Sequence, residues 1–239
     1  MRGIVVLVLG LALPSAVLAQ DARLERIRQA FPAEAVSRIE GILAESEAAG
    51  VPTGPLYAKA LEGVAKGVPA DRVVAALNAY AEHLQNALSL VGAGHGAAAV
   101  VAGADALRRG VPVEAVRSLA SQYSGDLAVP LVVMGDLIET GVPADGAYEV
   151  VQDALQKQQT PEEMLAIPGA VRQLMREGSG AGEAANAVGR AINRGQFGGQ
   201  IQQGKPGAAP PKGPPVPPGA GPPDHAGPKK DKRKGNTSG

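Results

Sequence analysis

Apolar residues recur through the middle of the chain with the spacing of a single helix face. Between 70 and 91, Val73, Leu77, Tyr80, Leu84, Leu88 and Val91 fall three or four positions apart, which predicts an amphipathic helix. Leu131-Val132-Val133-Met134 is apolar on every face, so the helix carrying it belongs at the centre of the fold. Thr160-Pro161-Glu162-Glu163 reads as a capping box, with Thr at the N-cap and Glu three positions on.

A short phrase punctuates these segments. Gly-Val-Pro occurs at 50–52, 67–69, 110–112 and 141–143, and a degenerate copy, Phe31-Pro32, opens the body. Gly ends one helix, because it enters the left-handed conformation without steric cost. Pro stops that helix and starts the next. With Pro as the N-cap, the preceding residue and the fourth after it should pack together as a hydrophobic staple. The expected pairs are Phe31/Val36, Val51/Leu56, Val68/Val73, Val111/Val116 and Val142/Ala147. The phrases are separated by 17, 43 and 31 residues, too irregular for a uniform solenoid. The expected fold is all-α: an irregular stack of about eight or nine short helices in helix–Gly-Val-Pro–helix hairpins. Such corners are generic to α-helical repeat proteins, and the likeness is one of architecture.

Composition sharpens this picture. Only six of the 239 residues are aromatic, four Tyr and two Phe, which disfavours a β-sandwich or barrel. The chain has no Cys, which excludes a disulfide scaffold, thiolate-bound zinc, an Fe–S cluster, a Cys nucleophile and a lipidated N-terminal Cys.

The two ends differ from the body. Arg2 precedes an apolar stretch from Ile4 to Leu13, Pro14 breaks it, and Val17-Leu18-Ala19 supplies compact residues before a cleavage point. This is the pattern of a secretory signal peptide over 1–19, with cleavage expected after Ala19 and a secreted or periplasmic mature chain. From 195 to 239 the chain holds 11 Gly and 10 Pro. Residues 209–223, APPKGPPVPPGAGPP, are expected to be extended and polyproline-II-like. The collagen register fails at Val216 and Pro222. The organisation is therefore a signal peptide (1–19), an α-helical hairpin domain (20–194) and a disordered Pro/Gly-rich basic tail (195–239).

Formal charge is zero, with 23 cations and 23 anions. The tail carries seven cations against Asp224 and Asp231. It is thus positive by five, and about six net negative charges are left on 20–194. Lys229, Lys230, Lys232, Arg233 and Lys234 are the candidate electrostatic contacts, since basic tails of this kind suit anionic polymers and surfaces.

Motifs for chemistry are few. Gly92-Ala93-Gly94-His95-Gly96-Ala97 has the form of a dinucleotide fingerprint, but the residues before it continue a helix, so it reads as a helix–helix loop. Gly199 to Lys205 imitates a P-loop but is followed by Pro206 where Ser or Thr is required. Ala87 to Ala104 carries no charged residue over 18 positions; two buried half-helices explain it, and membrane insertion of 87–104 is the alternative. His83, His95 and His225 lie in no metal-ligand spacing. Gly178-Ser179-Gly180 reads as a helix terminator rather than a nucleophile elbow. Glu34, Glu45, Glu62, Glu114 and Asp136 read as solvated helix faces. Tyr57, Tyr80, Tyr123 and Tyr148 each fall in a separate hairpin; they pack on the core, or line a binding groove where they share an exposed face.

The sequence therefore suggests no catalytic, cofactor or metal residues. It suggests an exported, non-enzymatic helical interaction or scaffold protein. Its partner would be another protein or an anionic envelope polymer, without specific nucleic-acid binding and without a membrane span after signal cleavage. A periplasmic enzyme of unrecognised type is the alternative.

Overall fold

The computed structural model describes residues 15–197. Among them are ten α-helices and no strand: α1 (Ser15–Ala30), α2 (Ala33–Ala48), α3 (Gly54–Ala65), α4 (Ala70–Val91), α5 (Gly96–Arg108), α6 (Val113–Gln122), α7 (Ala128–Glu139), α8 (Ala144–Gln156), α9 (Pro161–Arg176) and α10 (Ala181–Asn193). This is slightly more than the periodicity predicts. Several boundaries carry no Gly-Val-Pro, as between α6 and α7, where the chain turns at Ser124-Gly125.

The Gly-Val-Pro corners work through backbone geometry. Gly50, Gly67, Gly110 and Gly141 all have positive φ, from 62° to 96°. At Gly67 the amide of Val68 donates to the Gly63 carbonyl at 2.9 Å, and the Gly67 amide donates to the Val64 carbonyl at 3.1 Å. This Schellman pairing satisfies the last carbonyls of α3. It recurs at the other three phrases, with Val51 donating to Ser46, Val111 to Ala106 and Val142 to Leu137. Pro32, Pro69, Pro112 and Pro143 then act as N-caps. Val111 and Val142 are buried, as are the fourth residues on, Val116 and Ala147. Each corner valine thus closes one helix and staples the next.

The corner at Pro52 departs from this scheme. Its helix is capped by Thr53 and starts at Gly54, with Pro55 in the first turn. Pro55 lacks an N–H and fits only where that donor has no intrahelical partner, which shifts the start one residue along. Val51 and Leu56 are nonetheless both buried.

The same Schellman pairing closes α8 without glycine. Gln159 donates to Ala154 and Gln158 to Leu155, both at 3.0 Å, with Gln158 at φ 53°. A side chain in that conformation costs about 1–2 kcal/mol. Gln158→Gly should therefore raise the unfolding free energy by about 0.5–1 kcal/mol once the greater freedom of glycine in the unfolded chain is deducted. Chemical denaturation at matched pH reads this as a higher midpoint.

Packing follows two interleaved rows. α1 lies on α3, α5 on α7 and α7 on α9, while α2 lies on α4, α4 on α6 and α8 on α10. The odd row is interrupted after α3, where α4 and α5 pack directly on each other across a bend of 95°, and the even row is interrupted between α6 and α8. Two apolar clusters result. Ile27, Ile39, Leu56, Val74, Leu77 and Leu84 lead the first; Leu131, Met134, Leu137, Ile167, Val171 and Ile192 lead the second. α5 serves both, giving Val100 and Ala104 to the first and Ala99, Ala102 and Ala106 to the second. Small residues make this double duty possible: a Cβ on Gly103 would come within 2.9 Å of Val91. α7 is central, as its all-round apolar sequence requires. Phe197, which composition assigns to the tail, is buried in the second cluster.

One polar hub ties the helices near the middle. Arg109, at the end of α5, contacts Asp105 at 2.7 Å, Asp136 of α7, and Glu139 of α7 at 3.0 Å. Gly135 leaves room for the arginine stem, since a Cβ there would lie 3.1 Å from Arg109 Cδ. Burial disfavours the guanidinium charge, but the three carboxylates outweigh it and hold the pKa above its ordinary value.

Candidate functional site

A broad concavity among the described residues follows from the bend between α4 and α5. Two adjoining hollows, about 530 and 770 Å³, share Tyr80, His83 and Arg108. Ala97, Ala98 and Val101 of α5 with Ala128 and Val132 of α7 line the first. Ala58, Ala76 and Ala79 of α3 and α4 line the second, which carries Lys59 and Glu62. The surface is shallow and mostly methyl groups, because alanine at the contact positions brings the helices together without filling the space above them.

Its charged groups are engaged with one another. Glu62 accepts from Lys59 at 3.0 Å and from Lys66. Arg108 donates to Asp105 of the same helix. Hydrogen bonds from Lys66 and Lys59 pull the Glu62 carboxyl down to about 2. Burial raises the Tyr80 phenol, and Asp105 adds to the shift. Because the Glu62 pKa is depressed by folding, its stabilising effect is present above the ordinary carboxylate range and is lost as pH falls from about 4.5 towards 2. Carbonyl-detected NMR should place the Glu62 midpoint near 2 at low salt, rising towards the ordinary value as salt screens the two lysines.

The histidines take separate roles. His83 is exposed on the groove wall. His95 sits at the α4–α5 corner, with Nδ1 3.3 Å from the Gly125 carbonyl oxygen and Nε2 3.2 Å from that of Ala120. A ring N–H donating there ties this corner to the α6–α7 turn. Among the described residues, no three His, Asp or Glu side chains gather where they could hold a metal ion.

The motif readings sort as follows. Residues 92–97 join two helices through a single 3₁₀ turn over Ala93–His95, with no strand before them. Gly178 has φ 105° and ends α9, and Gly180 caps α10, so the Gly-Ser-Gly phrase terminates a helix. Thr160 and Glu163 form the expected capping box. Residues 87–104 divide between α4 and α5, and no single described helix is long and apolar enough to cross a membrane. Glu34, Glu45 and Glu114 are exposed, while Glu62 and Asp136 are half-buried in ion pairs. The P-loop imitation at 199–205, His225 and the cations Lys229, Lys230, Lys232, Arg233 and Lys234 lie outside the described residues.

All four tyrosines are half-buried against the apolar clusters. Tyr80 lines the large groove and Tyr148 a smaller one. The Tyr148 hydroxyl lies 2.8 Å from Ser118 Oγ and 3.2 Å from Gln152 Nε2, and Gln122 donates to Ser118 at 2.8 Å. Sequence reasoning missed this hydroxyl–amide cluster between α6 and α8, because its members lie 30 residues apart and show no local pattern. No protein family, curated protein or solved structure matches the chain.

Proposed function

We propose that the chain is an exported, non-enzymatic helical interaction module whose basic C-terminal end contacts an anionic component of the cell envelope. One observation supports the non-enzymatic part: the groove at the α4–α5 bend is floored by alanine and valine, and its charged rim groups pair among themselves. His83 stands exposed on the groove wall, but among the described residues no hydrogen bond to a carboxylate or hydroxyl orients it as an acid or base. The signal-like N-terminus supports export, with cleavage after Ala19 and a secreted or periplasmic location. The segregation of charge between an acidic body and a basic end supports the anionic partner.

Each tail cation near an anionic surface contributes about 1 kcal/mol at low salt. The test is co-sedimentation of the full chain with vesicles of phosphatidylglycerol, against vesicles of phosphatidylcholine. Binding to the anionic vesicles is expected, with loss at high salt and loss in a chain carrying Lys229→Gln, Lys230→Gln, Lys232→Gln, Arg233→Gln and Lys234→Gln. Binding that survives both changes would remove the tail as the electrostatic contact.

A further inference from the structure

We infer that the cleft between α2 and α4 binds a small aliphatic amine, held as its primary ammonium ion. The cleft measures about 290 Å³. Helix spacing builds it. Glu45 and Ser46 stand one turn beyond the buried Ile42 on the face of α2 that packs towards α4. Asn78, Glu82 and Gln85 follow at steps of four and three along the facing side of α4. The Ser46 carbonyl accepts the Val51 amide at 2.8 Å, so the Gly-Val-Pro corner fixes this end of α2. The cleft is distinct from the groove at the α4–α5 bend, to which α4 gives Tyr80 and His83 instead.

Two observations point to a ligand. The first is that the polar lining is unengaged. Among the described residues, the side chains of Glu45, Ser46, Asn78, Glu82 and Gln85 make no hydrogen bond and no ion pair. The bend groove behaves differently, since Glu62 pairs with Lys59 and Lys66 there, and Arg108 with Asp105. No described lysine or arginine lines the α2–α4 cleft, so its two carboxylates have no counter-charge. The second observation is Ser46. It is only 6% exposed, yet it lines the cleft and its hydroxyl has no partner. A buried hydroxyl left without a hydrogen bond is destabilising, and a ligand that donates to it offsets that cost.

The chemistry of the lining selects the ligand class. Carboxylates only accept, and the amide and hydroxyl oxygens accept as well. The matching ligand is a cation that carries donors, and a primary ammonium carries three N–H groups and no acceptor. Ile42, Val51 and Ala81 complete the wall and suit a short alkyl chain. A quaternary ammonium does not match, since it has no N–H and the aromatic faces that hold such ions are absent from the lining. A bare calcium ion does not match either. It takes about six to eight oxygens, and no third His, Asp or Glu among the described residues joins the two carboxylates. An amine bridging Glu45 and Glu82 ties α2 to α4 and stabilises the folded body by linkage. The net negative charge of that body draws small cations towards it.

The test titrates the full chain with 1,4-diaminobutane, with tetramethylammonium chloride and calcium chloride as parallel arms at matched ionic strength. NMR follows the side-chain amide signals of Asn78 and Gln85 and the backbone amide of Ser46. Saturable shifts at these three residues are expected with the diamine. Glu45→Gln combined with Glu82→Gln should weaken binding about tenfold or more, since both charged acceptors are lost. Both glutamates are exposed, so these changes leave the fold in place. Ser46→Ala should weaken binding by a smaller factor. Glu34→Gln combined with Glu114→Gln removes the same charge away from the cleft and should leave the affinity unchanged. No saturable shift with the diamine overturns the site. Equal weakening by the two double variants, or equal binding of tetramethylammonium, reduces the effect to general attraction by an acidic body and overturns it too. Tighter binding of calcium than of the diamine assigns the cleft to a metal ion and overturns the amine. The vesicle assay reads residues 229–234, which take no part here, so the two readings fail separately.

Discussion

Leu131→Ala is expected to lower the unfolding free energy by about 2–5 kcal/mol. Leu131 is fully buried in α7, between Val133, Met134 and Leu137, which are fully buried too. α7 packs on α5, α8 and α9, so removing three carbons opens a cavity with rigid walls on several sides. Collapse into it would have to move helices that are fixed by their own corners. Domains of this size lose about 2–4 °C in Tm for each kcal/mol, and calorimetry should show a fall at the upper end of what a single core truncation produces. Leu165 of α9 provides the contrast. It is 51% exposed, and Leu165→Ala should stay within about 0.5 kcal/mol of the parent. Equal losses at the two sites would mean that α7 is not the centre of the second cluster.

Much of this was legible beforehand, for a physical reason. A Gly-Val-Pro corner is a local device: Gly sets the left-handed residue, Pro caps the next helix, and the valine between them packs on both. Nothing distant is needed to recognise it, and the corners at Gly67, Gly110 and Gly141 stand where the phrase places them. Long-range features left no such trace. The Arg109 hub joins α5 to carboxylates 27 and 30 residues away. The groove over Tyr80 exists because α4 and α5 meet at 95°, an angle that periodicity does not encode. At the Pro52 corner only the N-cap was misplaced, by one residue, because a second proline three residues on competes for the first turn. Gln158 was invisible for the opposite reason: its backbone does what glycine does elsewhere, without the residue that signals it.

Gly63 offers the sharpest test of how closely these helices approach. It lies in α3, against Val73 of α4, and a Cβ there would stand 2.5 Å from Val73 Cγ2 and 3.3 Å from Cγ1. Val73 is buried and stiff at χ1, so it does not swing aside. The Gly63 carbonyl also accepts the Val68 amide that closes the helix, which couples any shift of α3 to the corner. Ala is the better helix former by about 1 kcal/mol, yet overpacking of a close contact costs about 1–3 kcal/mol and sometimes more. A contact this short sits at the upper end, so Gly63→Ala should destabilise by about 2 kcal/mol net. Gly41 of α2 has nothing within 4 Å of the same added atom, so Gly41→Ala should instead stabilise by about 0.5–1 kcal/mol. The sign change between two helical glycines isolates packing from propensity. A double-mutant cycle completes the argument. In a Val73→Ala background the space for the new methyl is already open, and Gly63→Ala should then cost less than about 0.5 kcal/mol, a coupling of more than about 1 kcal/mol. Additive losses would show that α3 and α4 do not meet at this point.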